Sequence, residues 1–143
     1  MNYKLISKIL GHILLIETAF MTPSLILSLV ERDGSTYGFL IPMALAVFLG
    51  LILINLKVKK RSLSPRDGIL IVTASWILVS LVGAIPLYIA ADMTYVDSFF
   101  EIVSGFTTTG ATVISNIESF PRSVIFWRSI THWIGGMGIL VFT

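Results

Sequence analysis

The run Ser104-Gly105-Phe106-Thr107-Thr108-Thr109-Gly110-Ala111-Thr112 holds the residues best suited to chemistry. Successive β-branched threonines favour extended backbone, and the glycine after them is free to take positive φ. At membrane depth such backbone survives only inside protein or against a water-filled cavity, because lipid satisfies neither N–H nor C=O. Carbonyl oxygens along a wet axis can replace the hydration shell of a dehydrated cation. The chemistry implied is main-chain ion coordination, with threonine hydroxyls as weaker ligands than the carbonyls. The competing reading is a threonine-rich face with a small residue for close helix packing.

Other chemistries find little support. The chain has no cysteine, which excludes disulfides, zinc–thiolate sites and thiol nucleophiles. Its two histidines are isolated, and no His-Glu-x-x-His, Gly-x-Ser-x-Gly or Walker-type motif is present. Glu17 sits inside an apolar stretch where a charge costs about 2.5–3.5 kcal/mol, so it is a functional candidate by default. With His12 nearby it sketches an intramembrane hydrolase; the simpler expectation is a neutral or hydrogen-bonded acid that ties helices together. Arg128 and His132 lie one helical turn apart. They could tune a pore's field, but the structural expectation is that Arg128 snorkels to a helix end and His132 bonds a neighbouring helix. Gly135-Gly136-Met137-Gly138 fits either close packing or bending.

The elements that must position these residues belong to a membrane chain. Of 143 residues, 55% are hydrophobic and 13% charged, about half the charged share of soluble domains. The net charge of +2 does not mark a nucleic-acid partner, because Lys57, Lys59, Lys60, Arg61 and Arg66 cluster between apolar spans, as in a cytoplasmic loop facing lipid headgroups. Residues 5–29 read as a first span bent at Pro23, with no small-x-small cleavage site after it. A polar turn, Glu31 to Thr36, leads to a second span over 37–56, and the two form a hairpin.

Ser64-Pro65-Arg66-Asp67 opens a third helix over 68–91, with Pro86 loosening its last turn. Ser98-Phe99-Phe100-Glu101 fits a capping box that starts a short helix over 98–106, too short to cross a bilayer. Its C-terminal end carries about half a negative charge, which favours a cation beyond it. After a polar-leaning return closed by Pro121, residues 123–143 form the last helix, with Trp127 and Trp133 as interface anchors. No loop, cap or charge follows Thr143, which reads as a fragment ending within or at the end of a helix. The elements define an all-α polytopic membrane protein: a hairpin (1–63), then one outer helix/re-entrant pore helix/inner helix repeat (64–143) with residues 107–112 as its filter. With the N-terminus inside, Lys4, Lys8 and the basic loop are cytoplasmic, Arg32 and Arg122 lie outside, and the positive-inside rule is met. The acidic Glu31, Asp33, Asp92, Asp97, Glu101 and Glu118 then lie outside, where they could concentrate cations.

Phe100 to Thr112, followed by Phe126-Trp127-Arg128-Ser129 and Trp133-Ile134-Gly135-Gly136-Met137-Gly138, resembles the first pore repeat of the Trk/Ktr/HKT potassium transporters. The match is strong over about residues 65–143, and the leading hairpin fits the extra element of the Trk branch. The resemblance implies a Trk-type potassium uptake protein of the bacterial inner membrane, with four such repeats of one polypeptide around a pseudo-fourfold pore. It implies potassium on the main-chain oxygens of Thr108, Thr109, Gly110 and Ala111, supported by Ser104, Gly105, Thr107 and Thr112, with no organic cofactor. In the related plant branch, serine at the position of Gly110 goes with sodium preference. Implied partners are membrane lipid, the remaining repeats, a second copy in a homodimer and a cytoplasmic nucleotide-binding regulatory subunit; no nucleic acid is implied. Channel-like and proton- or sodium-coupled flux both fit such a filter. The reading from another class is a non-conducting structural or assembly subunit.

Overall fold

The computed structural model describes residues 3–58 and 64–142. Lys59, Lys60 and Arg61 of the basic loop, and Thr143, lie outside the described residues. The described regular elements are helices: α1 (Tyr3–Glu31), α2 (Thr36–Ile54), α3 (Pro65–Gly83), α4 (Ile85–Ala90), α5 (Tyr95–Phe106) and α6 (Arg122–Phe142), with a single 3-10 turn at Ile117–Ser119. Three stretches are long and apolar enough to cross a membrane by length and composition: Tyr3–Glu31, Thr36–Ile54 and Pro65–Ala90.

The hairpin α1–α2 packs through small residues. A Cβ on Gly11 would lie 2.8 Å from Leu53 Cβ and 2.9 Å from the Gly50 carbonyl, so glycine allows the two backbones to approach. α1 continues through Pro23 without a break in helix.

α3 begins one turn earlier than a start at residue 68. Ser64 Oγ accepts from the Asp67 N–H at 3.3 Å, and the Asp67 carboxylate accepts from the Ser64 N–H at 3.0 Å, a full capping box. The helix breaks at Ala84, because Pro86 brings no N–H to continue the ladder. The carbonyls freed there find side-chain donors: Trp127 Nε1 donates to the Gly83 oxygen at 2.9 Å and Tyr95 Oη to the Leu81 oxygen at 2.8 Å. Trp127 is thus fully buried in the core rather than an interface anchor, whereas Trp133 is exposed and meets Phe20 edge-on.

The core runs through Leu14, Met21, Phe39, Leu87, Ile102, Phe106, Val124 and Trp127, so hairpin, broken helix, short helix and α6 share one apolar centre.

Candidate functional site

The short helix α5 has 12 residues, about 18 Å of rise against a hydrocarbon core of about 30 Å. Its cap differs from the one expected. Thr94 is the N-cap: its hydroxyl accepts from the Asp97 N–H at 3.2 Å and donates to Asp97 Oδ2 at 2.7 Å. Ser98 lies inside the first turn and donates to the Thr94 carbonyl. Thr94 supplies the side-chain cap one turn earlier, which frees Glu101 for another task.

At its C-terminus the helix stops against α6. A Cβ on Gly135 would overlap the Phe106 carbonyl oxygen, and one on Gly105 would overlap Thr131 Oγ1. Glycine at these two contacts presses the backbone of α5 onto α6, so Gly135 is a packing residue here. The backbone then leaves the helix: Thr108 N–H donates to the Gly105 carbonyl at 2.9 Å and Thr109 N–H to the Ser104 carbonyl at 3.0 Å. Residues 107–113 are exposed and non-helical. Gly110 has φ +75°, and Thr108 has φ +56°. Positive φ on a β-branched residue is rare and strained, and such strain gathers at functional sites.

Hydroxyls hold the run in shape. Thr107 Oγ1 donates to the Val103 carbonyl and lies 2.8 Å from Thr109 Oγ1. Ser104 Oγ donates to the Ala111 carbonyl at 2.6 Å, which occupies one of that oxygen's two lone pairs. Thr112 Oγ1 donates to Glu101 Oε1 at 2.7 Å, and the Val113 N–H donates to the same oxygen at 2.6 Å. The other carboxylate oxygen, Glu101 Oε2, accepts from Arg128 Nε at 2.8 Å. Glu101 is fully buried, so its charge is compensated by α6 and spent on holding the run after α5.

This arrangement revises four expectations. Arg128 does not snorkel; it turns inward to Glu101. His132 bonds its own helix, with Nδ1 2.9 Å from the Arg128 carbonyl. Glu101 does not cap the helix and is not an exposed acid at a mouth. Glu17 is buried, and neither carboxyl oxygen has a hydrogen-bond partner, so it does not tie helices by a polar bond. His12 is exposed and bonds the Lys8 carbonyl.

A second polar cluster escaped sequence reasoning. Asp33, in the α1–α2 turn, accepts at Oδ1 from Ser28 Oγ and the Ser35 N–H, and at Oδ2 from the backbone N–H and hydroxyl of Ser123. It therefore caps α6 from outside that helix. Burial opposes the charge of Asp33, yet the bonds from Ser123, Ser35 and Ser28 prevail and hold its carboxyl down at about 2. Beside it, Arg122 meets Glu31 at 3.3 Å as an exposed pair, worth little by itself. The signal that could have exposed Glu101 and Arg128 is that each is a lone charge in an apolar stretch, and opposite lone charges of that kind seek each other.

Apolar helices of membrane-crossing length, with a short helix ending in an exposed, braced, non-helical turn between them and the last helix, define an all-α polytopic membrane protein. The TrkH family model, described as a cation transport protein, matches residues 39–143, and the chain belongs to that family. The family is one of membrane transporters, not of enzymes. The chain is 36% identical to the Trk system potassium uptake protein TrkH of Halomonas elongata over 144 residues, covering 99% of this chain and 30% of that relative. It is 39% identical to an uncharacterized cation transporter of Methanocaldococcus jannaschii, covering 93% of this chain and 28% of the relative. The crystal structure of the potassium transporter TrkH from Vibrio parahaemolyticus superposes with a TM-score of 0.90 at 34% identity, over 99% of this chain and 31% of that one. The chain thus spans about three-tenths of the length of the relatives it matches.

Proposed function

We propose that the whole protein takes up potassium, and that residues 107–112 supply one side of its selectivity filter. Potassium sheds its water and is held by main-chain oxygens of Thr108, Thr109, Gly110 and Ala111, while Ser104, Gly105, Thr107 and Thr112 fix their positions. The observation that carries this reading is the exposed run with positive φ at Thr108 and Gly110, locked from behind by the Glu101–Arg128 pair. A surface used only for packing has no need of strained backbone or of a buried ion pair behind it. Passage rests on dehydration offset by oxygen dipoles already in place, driven by the ion gradient and membrane potential.

Residues 1–63 act as a leading hairpin, and residues 64–143 as the first of several pore repeats that close the pore together. The N-terminus lies in the cytoplasm of a bacterium and the helices cross its inner membrane, as the basic residues flanking the spans favour. A second copy and a cytoplasmic nucleotide-binding subunit complete the assembly; the resemblance to the Trk branch is what supports them.

The test exchanges Gly110 for serine in the complete transporter and follows potassium, rubidium and sodium uptake. Potassium uptake falls and the ratio of potassium to sodium drops. Unchanged selectivity would assign the run to packing.

A further inference from the structure

The hairpin and the short helix meet at Gly83. A Cβ there would lie 3.1 Å from Glu17 Oε1, 3.2 Å from Ile102 Cγ2 and 3.4 Å from Trp127 Cζ2, so α1, α5 and α6 converge on the end of α3. Glu17 is 4% exposed, and both of its carboxyl oxygens are buried without a hydrogen-bond partner. The titratable groups of the elements around it are engaged elsewhere. His12, on α1, is bonded to the Lys8 carbonyl, and α2 offers only Tyr37, exposed in its first turn. Between Asp67 and Gly83, α3 has no titratable side chain. On α5, Tyr95 and Asp97 bond the Leu81 carbonyl and Thr94, and Glu101 takes Arg128 of α6. The other two on α6 are Arg122, paired with Glu31, and His132, against the Arg128 carbonyl. The indole N–H of Trp127 is given to the Gly83 carbonyl.

The backbone makes a negative charge at this point worse. α3 ends at Gly83, and a helix C-terminus carries about half a negative charge. A carboxylate here would be out of water, unpaired and beside a negative pole. We infer that Glu17 binds a proton while α1 is docked on Gly83, and that this proton is a latch: its loss drives α1 off the end of α3 and loosens the hold of the hairpin on α5 and α6. A proton is the cation that needs no room, and the close contacts around Gly83 leave little for a larger one.

Linkage fixes the direction of the effect. The docked form keeps a proton that Glu17 releases once it reaches water above the ordinary carboxylate range. Stabilisation by docking is therefore fully present below that range and is lost as pH rises, by up to about tenfold in the docking equilibrium per pH unit. The residues that Glu17 meets stand next to the pair behind the exposed run. Ile102 follows Glu101, which holds Thr112 and Val113, and Trp127 precedes Arg128, which holds Glu101. The hairpin, which contributes no oxygen to that run, thus acts as a proton-responsive clamp upon it.

Control of uptake rests on the function proposed above, whereas the proton on Glu17 does not, and the test keeps them apart. It uses the complete transporter, in detergent and in reconstituted vesicles. Near neutral pH the infrared spectrum of the parent contains the C=O stretch of a protonated carboxylic acid that Glu17→Gln lacks. From about pH 6 to about pH 9 the unfolding temperature of the parent falls relative to that of Glu17→Gln, because only the parent releases this proton on unfolding. Rubidium uptake by the parent declines over the same interval more than uptake by the variant. Glu17→Met, of similar size and uncharged, behaves as the glutamine variant does and serves if that one folds poorly. Absence of the acid band, or parallel unfolding profiles in parent and variants, would overturn the proton site. Parallel uptake profiles would overturn the latch. The infrared and unfolding measurements need no potassium, so they stand or fall whatever the ion specificity of the Gly110 variant.

Discussion

Arg128 on α6 and Glu101 on α5 meet at 2.8 Å with the carboxylate fully buried, and the far oxygen of that carboxylate carries the exposed run through Thr112 and Val113. One ion pair therefore ties the last long helix, the short helix and the non-helical run after it. Removing one partner from such a pair leaves an uncompensated charge and costs about 3–5 kcal/mol. Arg128→Ala and Glu101→Ala should each lower the unfolding temperature of the complete transporter and cut uptake, while the double exchange to Gln recovers part of the stability without restoring uptake. Thermal unfolding and rubidium uptake on the same preparations check this.

Gly135 and Gly136 are neighbours with opposite tolerances. A Cβ on Gly135 would overlap the Phe106 carbonyl, whereas at Gly136 the nearest heavy atom would be 4.0 Å away. Gly135→Ala should cost about 1–3 kcal/mol through overpacking and shift the end of α5, with a loss of uptake. Gly136→Ala should keep stability and uptake close to the parent, and similar losses in both variants would show that helix bending, not contact, is what these glycines provide.

The Asp33 clasp has a defined acid limit. Its carboxyl is held at about 2 in the fold against an ordinary 3.8, so the unfolded chain binds the proton more readily. The stabilisation is fully present above pH 3.8 and is lost as pH falls through about 2. The difference in unfolding temperature between the parent and Asp33→Asn should therefore be constant near neutrality and shrink between pH 4 and pH 2. A difference that grew on acidification would have the opposite sign.

Trp127 pins the helix break through a single hydrogen bond. Trp127→Phe retains most of the buried ring but leaves the Gly83 carbonyl without its donor, a loss of about 1–3 kcal/mol for a buried polar group. Tyr95→Phe at the neighbouring Leu81 carbonyl, where the residue is partly exposed, should cost less because water can take over. Chemical or thermal unfolding of the two variants ranks them.

The helices were legible because hydrocarbon allows few alternatives: apolar runs of spanning length must satisfy their own backbone. The threonine–glycine run was legible for the same reason, since its residue types resist helix while the flanking segments do not. Boundaries were less so. Ser98 and Thr94 are both good N-caps by type, and in the fold Glu101 is engaged by Arg128, Thr112 and Val113 instead of reaching back to Ser98. Trp127 suits an interface as well as a core until Gly83 presents a free carbonyl to it.

Residue type and spacing by themselves determined the membrane class, the hairpin, the short helix and the place where backbone leaves helical form, because each follows from local hydrogen bonding and burial along the chain. Tertiary structure alone decided the partners of the charged and hydroxyl groups. Asp33 with Ser123, Glu101 with Arg128 and Glu17 against Gly83 are long-range matters of which faces pack together, and composition along one segment does not encode the face of another.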